Sequence, residues 1–155
     1  MMTIRMVNRD DIEDIKQVLD SIELFPSDML EDMMADYLEN RQSQEVWFTA
    51  VQEEKPIAIG YCAPEQLTVG TYNLYAIGVR NDIQGKGTGS KMMQFIEDHL
   101  RSIGGRLLIV DTSGTPDFSQ TRAFYENLGY RKEAVIRDFW NEGDDKVTYW
   151  KKLNG

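Results

Sequence analysis

The chain has one cysteine, Cys62, and one histidine, His99. A lone cysteine cannot close an internal disulfide, so nothing staples the fold, and a reducing compartment is the expected setting. The pair also cannot supply the ligands of a zinc cluster, and no metal is expected. Prolines number four, and there is no proline-rich linker, internal repeat or low-complexity tract. One continuous domain over residues 1–155 follows. No run of 18 or more apolar residues is present, so no membrane span is expected. The start, Met1-Met2-Thr3-Ile4-Arg5, lacks the apolar core of a secretory signal, which makes the cytoplasm the expected location. Basic residues are in deficit, 17 Lys and Arg against 26 Asp and Glu, for a net charge of −9. Nucleic-acid affinity rests on neutralising phosphates, so a general nucleic-acid binder is excluded.

What is there is an ordinary core. Apolar residues are 41% and charged residues 28% of 155, the balance of a soluble domain long enough to bury its interior. Thr3–Val7 alternates like a strand. Asn8 is a helix cap ahead of Asp10 and Asp11, and Ile12, Ile15, Leu19 and Ile22 recur at helical spacing. Pro26-Ser27 breaks the chain before a second helix over Asp28–Asn40. Glu45–Val51 and Pro56–Ala63 read as a hairpin turning at Glu53-Glu54-Lys55. Tyr72–Val79 reads as a buried central strand. A helix carrying Met92, Met93, Ile96, Leu100 and Ile103 ends at Gly104-Gly105. Leu107–Val110 is a short apolar run typical of a strand covered on both faces. Ser119–Asn127 predicts a helix, and Tyr130–Phe139 and Val147–Leu153 predict strands turning at Asn141–Asp145. The fold class is therefore α/β (α+β): a mixed, mostly antiparallel sheet of six to seven strands with helices on both faces.

The segment Gln84-Gly85-Lys86-Gly87-Thr88-Gly89-Ser90 lies between the central strand and an amphipathic helix. The first amides of a helix have no internal partners, and the helix dipole adds partial positive charge there. Glycines let a ligand approach that backbone closely. Together these features predict a phosphate cradle that needs few basic side chains, which a net-negative protein requires. Two known cradles do not fit. A Walker A loop needs Gly-Lys-Ser/Thr where Ser90-Lys91-Met92 stands, and a dinucleotide fingerprint needs glycine at Ser90. A ligand-free glycine turn is the plain alternative.

Gln84-Gly85-Lys86-Gly87-Thr88-Gly89 resembles the Gln/Arg-x-x-Gly-x-Gly/Ala motif of the GNAT superfamily of N-acetyltransferases. Leu74-Tyr75-Ala76-Ile77-Gly78-Val79 is similar to that family's central strand. Arg122-Ala123-Phe124-Tyr125-Glu126-Asn127-Leu128-Gly129-Tyr130 resembles its Phe-Tyr-x-x-x-Gly-Phe/Tyr element. The resemblance covers Thr3–Leu153 and is strongest over Tyr72–Tyr130.

The resemblance implies transfer of an acetyl group from acetyl-coenzyme A to a primary amine by direct attack. It assigns the pyrophosphate to Gln84, Gly85, Lys86, Gly87, Thr88, Gly89 and Ser90, with Lys91 adding charge. It lays the pantetheine arm along Ile77, Gly78 and Val79, and it requires the strand from Leu107 to splay away from the central strand. Tyr125 stands where the family carries a general acid. Tyrosine ordinarily titrates near 10 and thiols near 8.5, so a tyrosine can protonate a departing thiolate. Many relatives have an asparagine seven residues earlier, where this chain has Phe118; Thr121, Arg122 and Phe124 then supply the remaining cofactor contacts. Asp111, at the end of the buried strand, is the candidate general base, with a turn cap for Thr112-Ser113-Gly114 as its alternative. Glu45, Glu53, Glu54 or a water chain are further candidates for the base.

Cys62 reads as a buried strand residue rather than an acyl carrier, and His99 as solvated. The acidic surplus favours a cationic acceptor, a small-molecule or peptide amine. Its pocket is expected among Ile22–Asp28, Ala63–Gly70, Asn141–Asp145 and the aromatic pair Phe139-Trp140. A non-catalytic acyl-coenzyme A sensor is the competing function. The oligomeric state is open, a homodimer being compatible with the sequence.

Overall fold

A computed structural model of the chain describes residues 1–154. Eight strands build one sheet: β1 (Met2–Met6), β2 (Val46–Gln52), β3 (Lys55–Pro56), β4 (Ala58–Pro64), β5 (Thr71–Val79), β6 (Leu107–Ser113), β7 (Arg131–Asn141) and β8 (Asp144–Lys152). Four helices flank it: α1 (Ile12–Asp20), α2 (Leu30–Glu39), α3 (Thr88–Ser102) and α4 (Ser119–Asn127). The spatial order is β1-β2-β4-β5-β6-β8-β7, with β3 beside β2. Strands β5 and β6 run parallel, and the other described pairs are antiparallel.

This is the mixed, mostly antiparallel α/β sheet expected from the sequence, with one strand more. The extra strand, β3, follows from a two-residue hairpin loop: Glu53 and Glu54 take φ of 53° and 65°, which sets Lys55 opposite Gln52. Helix α3 begins at Thr88, earlier than the apolar repeat from Met92 suggests. Gly87 takes the left-handed conformation at φ 83° and serves as the N-cap, so Gly89 and Ser90 belong to the first helical turn. The last hairpin is tighter than expected, because Asn141 already pairs with Asp144.

Alternation along the strands sends residues to two cores. Trp47 and Ile59 join Val7, Ile15, Val18, Leu30 and Met34 under α1 and α2. Phe48, Ala58, Leu74 and Val110 face the other way, onto Met92, Met93, Ile96 and Leu100 of α3 and Tyr125 of α4. One face of β5, β6 and β8 thus carries no helix at the positions of Asn73, Asp111 and Thr148, which lie opposite in sequence parity to Leu74, Val110 and Val147.

The entry to α1 is fixed by a reciprocal cap. Asn8 Oδ1 accepts from the Asp10 amide at 3.0 Å, and Asp11 Oδ2 accepts from the Asn8 amide at 2.8 Å. Asp11, itself buried, also takes two bonds from Arg5, at 2.7 and 2.9 Å, tying β1 to the helix. The Arg5 guanidinium, above all, holds the Asp11 carboxyl below its usual range. Replacing Asp11 by Ala removes the buried acceptor shared by a partly exposed Arg5 and a helix entry, and is expected to cost roughly 1–3 kcal/mol in denaturant unfolding. Asp11 contributes its full stabilisation above the ordinary carboxylate pKa, and loses it as pH falls through the lowered folded value. The gap between wild type and variant should therefore close in acid.

Candidate active site

Strands β5 and β6 are paired only from Thr71–Leu107 to Leu74–Val110. Beyond that they part. On its other side β5 stays on β4, but the register slips at Tyr61/Cys62, leaving Tyr75 as an extra residue in β5. A bulge of this kind bends a strand and sharpens its twist, and here it sits where the parting begins.

The parting exposes backbone. The Arg80 amide donates to Ile57 O at 2.8 Å on the β4 side. Strand alternation then directs the amides of Ile77 and Val79 to the opposite, open edge. The Val79 carbonyl confirms the direction, since it accepts from Gln84 Nε2 across that edge at 2.9 Å.

The glycine turn closes one end of the gap. Gly85 and Gly87 have φ of 81° and 83°, a conformation that glycine adopts cheaply. A β-carbon added at either would meet no atom within 4 Å, so the space beside this backbone is open. The first α3 bond runs from the Lys91 amide to Gly87 O at 3.2 Å. The amides of Thr88, Gly89 and Ser90 precede it and have no partner within the helix. On the far wall the Phe124 ring lies 3.3 Å from where a Gly89 β-carbon would stand. A cleft of about 510 Å³ results, lined by Ile77, Gly78, Val79, Ile83, Gln84, Gly85, Gly87, Thr88, Gly89, Ser90, Gln120, Thr121, Phe124 and Tyr125.

A second cavity of about 610 Å³ opens on the other side of the gap. It shares Ile77, Gly78, Val79, Gln84, Thr121 and Tyr125 with the cleft and adds Asp111, Ser113, Phe118, Trp140, Asp144 and the Ile22–Leu24 loop. Its charged lining residues are Glu23, Asp111 and Asp144. A smaller pocket, about 490 Å³, adjoins it at Asp111 and Trp140 and is lined by Glu65, Asn73, Tyr75, Phe139 and Lys146.

Tyr125 stands at the junction of cleft and cavity. Its ring packs against Phe124, Tyr130 and Tyr149, and the residue is 3% exposed. Burial pushes its phenol well above the ordinary tyrosine value, so the proton stays on through neutral pH. Asp111 Oδ1 accepts from Thr148 Oγ1 at 2.6 Å, and Oδ2 accepts from Asn73 Nδ2 at 3.4 Å, with Lys146 Nζ at 3.9 Å. These bonds hold the carboxylate across the mouth of the gap rather than at the cap of the Thr112-Ser113-Gly114 turn.

The remaining candidates fall elsewhere. Lys86 and Lys91 are exposed and outside the cleft lining. The Arg122 guanidinium donates to the carbonyls of Ser113 and Thr115, at 2.8 and 2.7 Å, and so holds the β6–α4 connection instead of the cleft. Glu45 accepts from Trp47 Nε1 at 3.2 Å, and Glu53 and Glu54 form a distant hairpin loop. Cys62 is fully buried, and burial pushes its thiol up, away from the reactive thiolate. Sequence reasoning missed Gln120, Asn73, Tyr75 and Thr148, while Glu65 falls within the expected Ala63–Gly70 segment. Asn73 had a legible signal: a polar side chain inside an apolar strand, two residues from Tyr75 and so on its face.

The site is thus a gap in a single sheet beside a glycine-capped helix, with the buried phenol of Tyr125 on its wall. The acetyltransferase (GNAT) family model matches residues 10–130, and the chain belongs to that family. No curated protein matches it significantly. Among solved structures, a GNAT-family protein from Desulfovibrio desulfuricans shares 28% identity at TM-score 0.92, covering 99% of this chain and 100% of that one. The ribosomal-protein-S18-alanine N-acetyltransferase of Escherichia coli shares the fold at TM-score 0.80 and 18% identity, covering 100% and 96%. An aminoglycoside 6'-N-acetyltransferase complexed with coenzyme A does so at 0.72 and 14%, covering 99% and 98%. Among the described residues no cluster of His, Cys, Asp and Glu could hold a metal ion, and no helix is long and apolar enough to cross a membrane.

Gly87→Val forces a β-branched residue to positive φ, at a cost of roughly 1–2 kcal/mol, and fills the mouth of the cleft. The variant is expected to fold, as read by circular dichroism, and to show no thermal shift with coenzyme A where the wild type is expected to show one.

Proposed function

We propose that this protein transfers the acetyl group of acetyl-coenzyme A to a primary amine of a cationic small molecule or peptide. One observation carries the reading: a buried, protonated Tyr125 lies on the wall shared by a phosphate-compatible cleft and a carboxylate-lined cavity. The cleft fits the cofactor's chemistry. Free amides of Thr88, Gly89 and Ser90 suit a pyrophosphate at a helix N-terminus, and the unpaired edge at Ile77 and Val79 suits an amide-bearing arm. When bound there, acetyl-coenzyme A supplies an acyl group activated as a thioester.

The protein's residues divide the remaining work. Asp111 accepts a proton from the acceptor's ammonium, directly or through water, and frees the lone pair for attack. Edge amides of β5 offer hydrogen bonds to the carbonyl oxygen as it gains charge. The amine nitrogen bonds to the carbonyl carbon, Tyr125 Oη gives its proton to the sulfur as the carbon–sulfur bond breaks, and the nitrogen's surplus proton returns to the phenolate, so that thiol, amide and tyrosine all end neutral. The carboxylates of Glu23, Asp111 and Asp144 favour a cationic acceptor over an anionic one.

Tyr125→Phe keeps the packing and removes the proton. Turnover is expected to drop at least about tenfold, within the usual reach of a general acid, with coenzyme A affinity little changed. Thiol release measured over a panel of amines checks it, and unchanged turnover would take Tyr125 out of the mechanism. A sensor of the same fold would bind coenzyme A and release no thiol with any amine. The raised phenol also predicts that wild-type kcat shows no alkaline fall from this group below about pH 10.

A further inference from the structure

One buried polar atom is left unsatisfied. Asn73 is 5% exposed, and its Oδ1 has no hydrogen-bond partner among the described residues. The amide is held in this orientation by its neighbours. Nδ2 donates to Glu65 Oε1 at 3.0 Å and to Asp111 Oδ2 at 3.4 Å, so turning the amide over would set its oxygen against two carboxylates. A buried acceptor without a donor is costly, and native interiors rarely keep one. Asn73 lines the pocket on the helix-free face of the sheet, together with Glu65, Asp111, Tyr75, Trp140 and Lys146.

The rest of that pocket defines the donor it suits. Tyr75 Oη donates to Glu65 Oε1 at 2.8 Å, so Tyr75 and Asn73 pin the carboxylate in place. Glu65 and Asp111 bring two negative charges. The lining cation is Lys146, whose Nζ lies 3.9 Å from Asp111 Oδ2 and 4.2 Å from the centre of the Phe139 ring. One negative charge is left over. Tyr75 and Trp140 are half exposed, at 52% and 48%, and offer flat apolar walls. An orphan acceptor, a surplus carboxylate charge and open rings together suit a positively charged N–H donor on an aliphatic stem.

The pocket adjoins the larger cavity, and Asp111 lines both. Asn73 lies four residues along β5 from Ile77, whose amide faces the gap. That span is roughly 13 Å, about the reach of an extended eight-carbon chain with a nitrogen at each end. We infer that the pocket around Asn73 is a subsite for a second nitrogen: the acceptor is a long aliphatic diamine whose far ammonium donates to Asn73 Oδ1 and faces Glu65, while its near amine stands at the gap beside Asp111. The inference rests on the proposed transfer to an amine, and adds the length and second charge of the acceptor.

Isothermal titration calorimetry with diaminooctane and octylamine, which differ only in the far nitrogen, tests this without turnover. Diaminooctane is expected to bind at least about tenfold tighter than octylamine, within the reach of a hydrogen bond from a charged donor. Diaminopropane, too short to span the two positions, is expected to bind no better than octylamine. Glu65→Gln keeps the shape and removes the charge, Asn73→Leu removes the acceptor, and each is expected to cut the preference for diaminooctane at least about fivefold. Lys146→Met removes the resident cation and is expected to raise diaminooctane affinity about threefold. Should Asn73→Leu fold poorly by circular dichroism, Glu65→Gln and Lys146→Met carry the test with their opposite signs. No binding of diaminooctane, equal affinity for diaminooctane and octylamine (the result if water alone satisfies Asn73), equal affinity for diaminopropane, or a preference indifferent to Glu65→Gln and Lys146→Met would each overturn the inference. Binding of diaminooctane through Glu65 with no thiol release from acetyl-coenzyme A would instead sink the proposed activity and leave the subsite standing.

Discussion

Beyond Leu74 and Val110, β5 and β6 stop exchanging hydrogen bonds while each keeps its outer neighbour. A sheet interior normally leaves no backbone donor unpaired, because a buried orphan amide is costly. This sheet tolerates the break because the gap opens to a cleft. The amides of Ile77 and Val79 face that opening, and one carbonyl, that of Val79, is met by the Gln84 side chain. Everything chemical follows from the parting. It makes room for an extended ligand, presents donors along one wall, and brings α4 close enough for Tyr125 to reach the same space.

The electrostatics of the site divide along the same line. On the cleft side the chain uses partial charges, the amides at the start of α3 and the edge of β5, rather than basic side chains. Lys86 and Lys91 stand outside the lining, and Arg122 is committed to the carbonyls of Ser113 and Thr115. On the cavity side the lining charges are carboxylates. Partial positive charge and carboxylates thus face opposite sides of a single gap, in a protein of net charge −9.

Much of this was legible in the chain. The glycine turn, its place between strand and helix, the helix over Ser119–Asn127 and the order of elements all rest on short-range physics: helical and strand periodicity, caps, and residues that tolerate positive φ. Asn8 as a cap shows both the strength and the limit of such reading. The cap is there, but it opens a single tight turn over Arg9–Asp11 before α1, because Asp11 bonds back to the Asn8 amide and out to Arg5 at once. The polar cluster around Asp111 was not legible. Asn73 and Asp111 are 38 residues apart, and Thr148 lies 37 beyond Asp111. Nothing local to any of the three signals the other two.

The sequence by itself determined where backbone donors would be left free, since glycines at Gly85 and Gly87 and a helix start at Thr88 are decided by conformations of neighbouring residues. It also determined which side chains are available for proton transfer. Tertiary structure alone decided which of them meet. Packing of Tyr125 among three aromatic rings raises its phenol, the bulge at Tyr75 opens the gap, and the sheet order sets Asn73 beside Asp111. Burial and strand order are properties of the whole fold, set by contacts between residues far apart in the chain, and no window of sequence contains them.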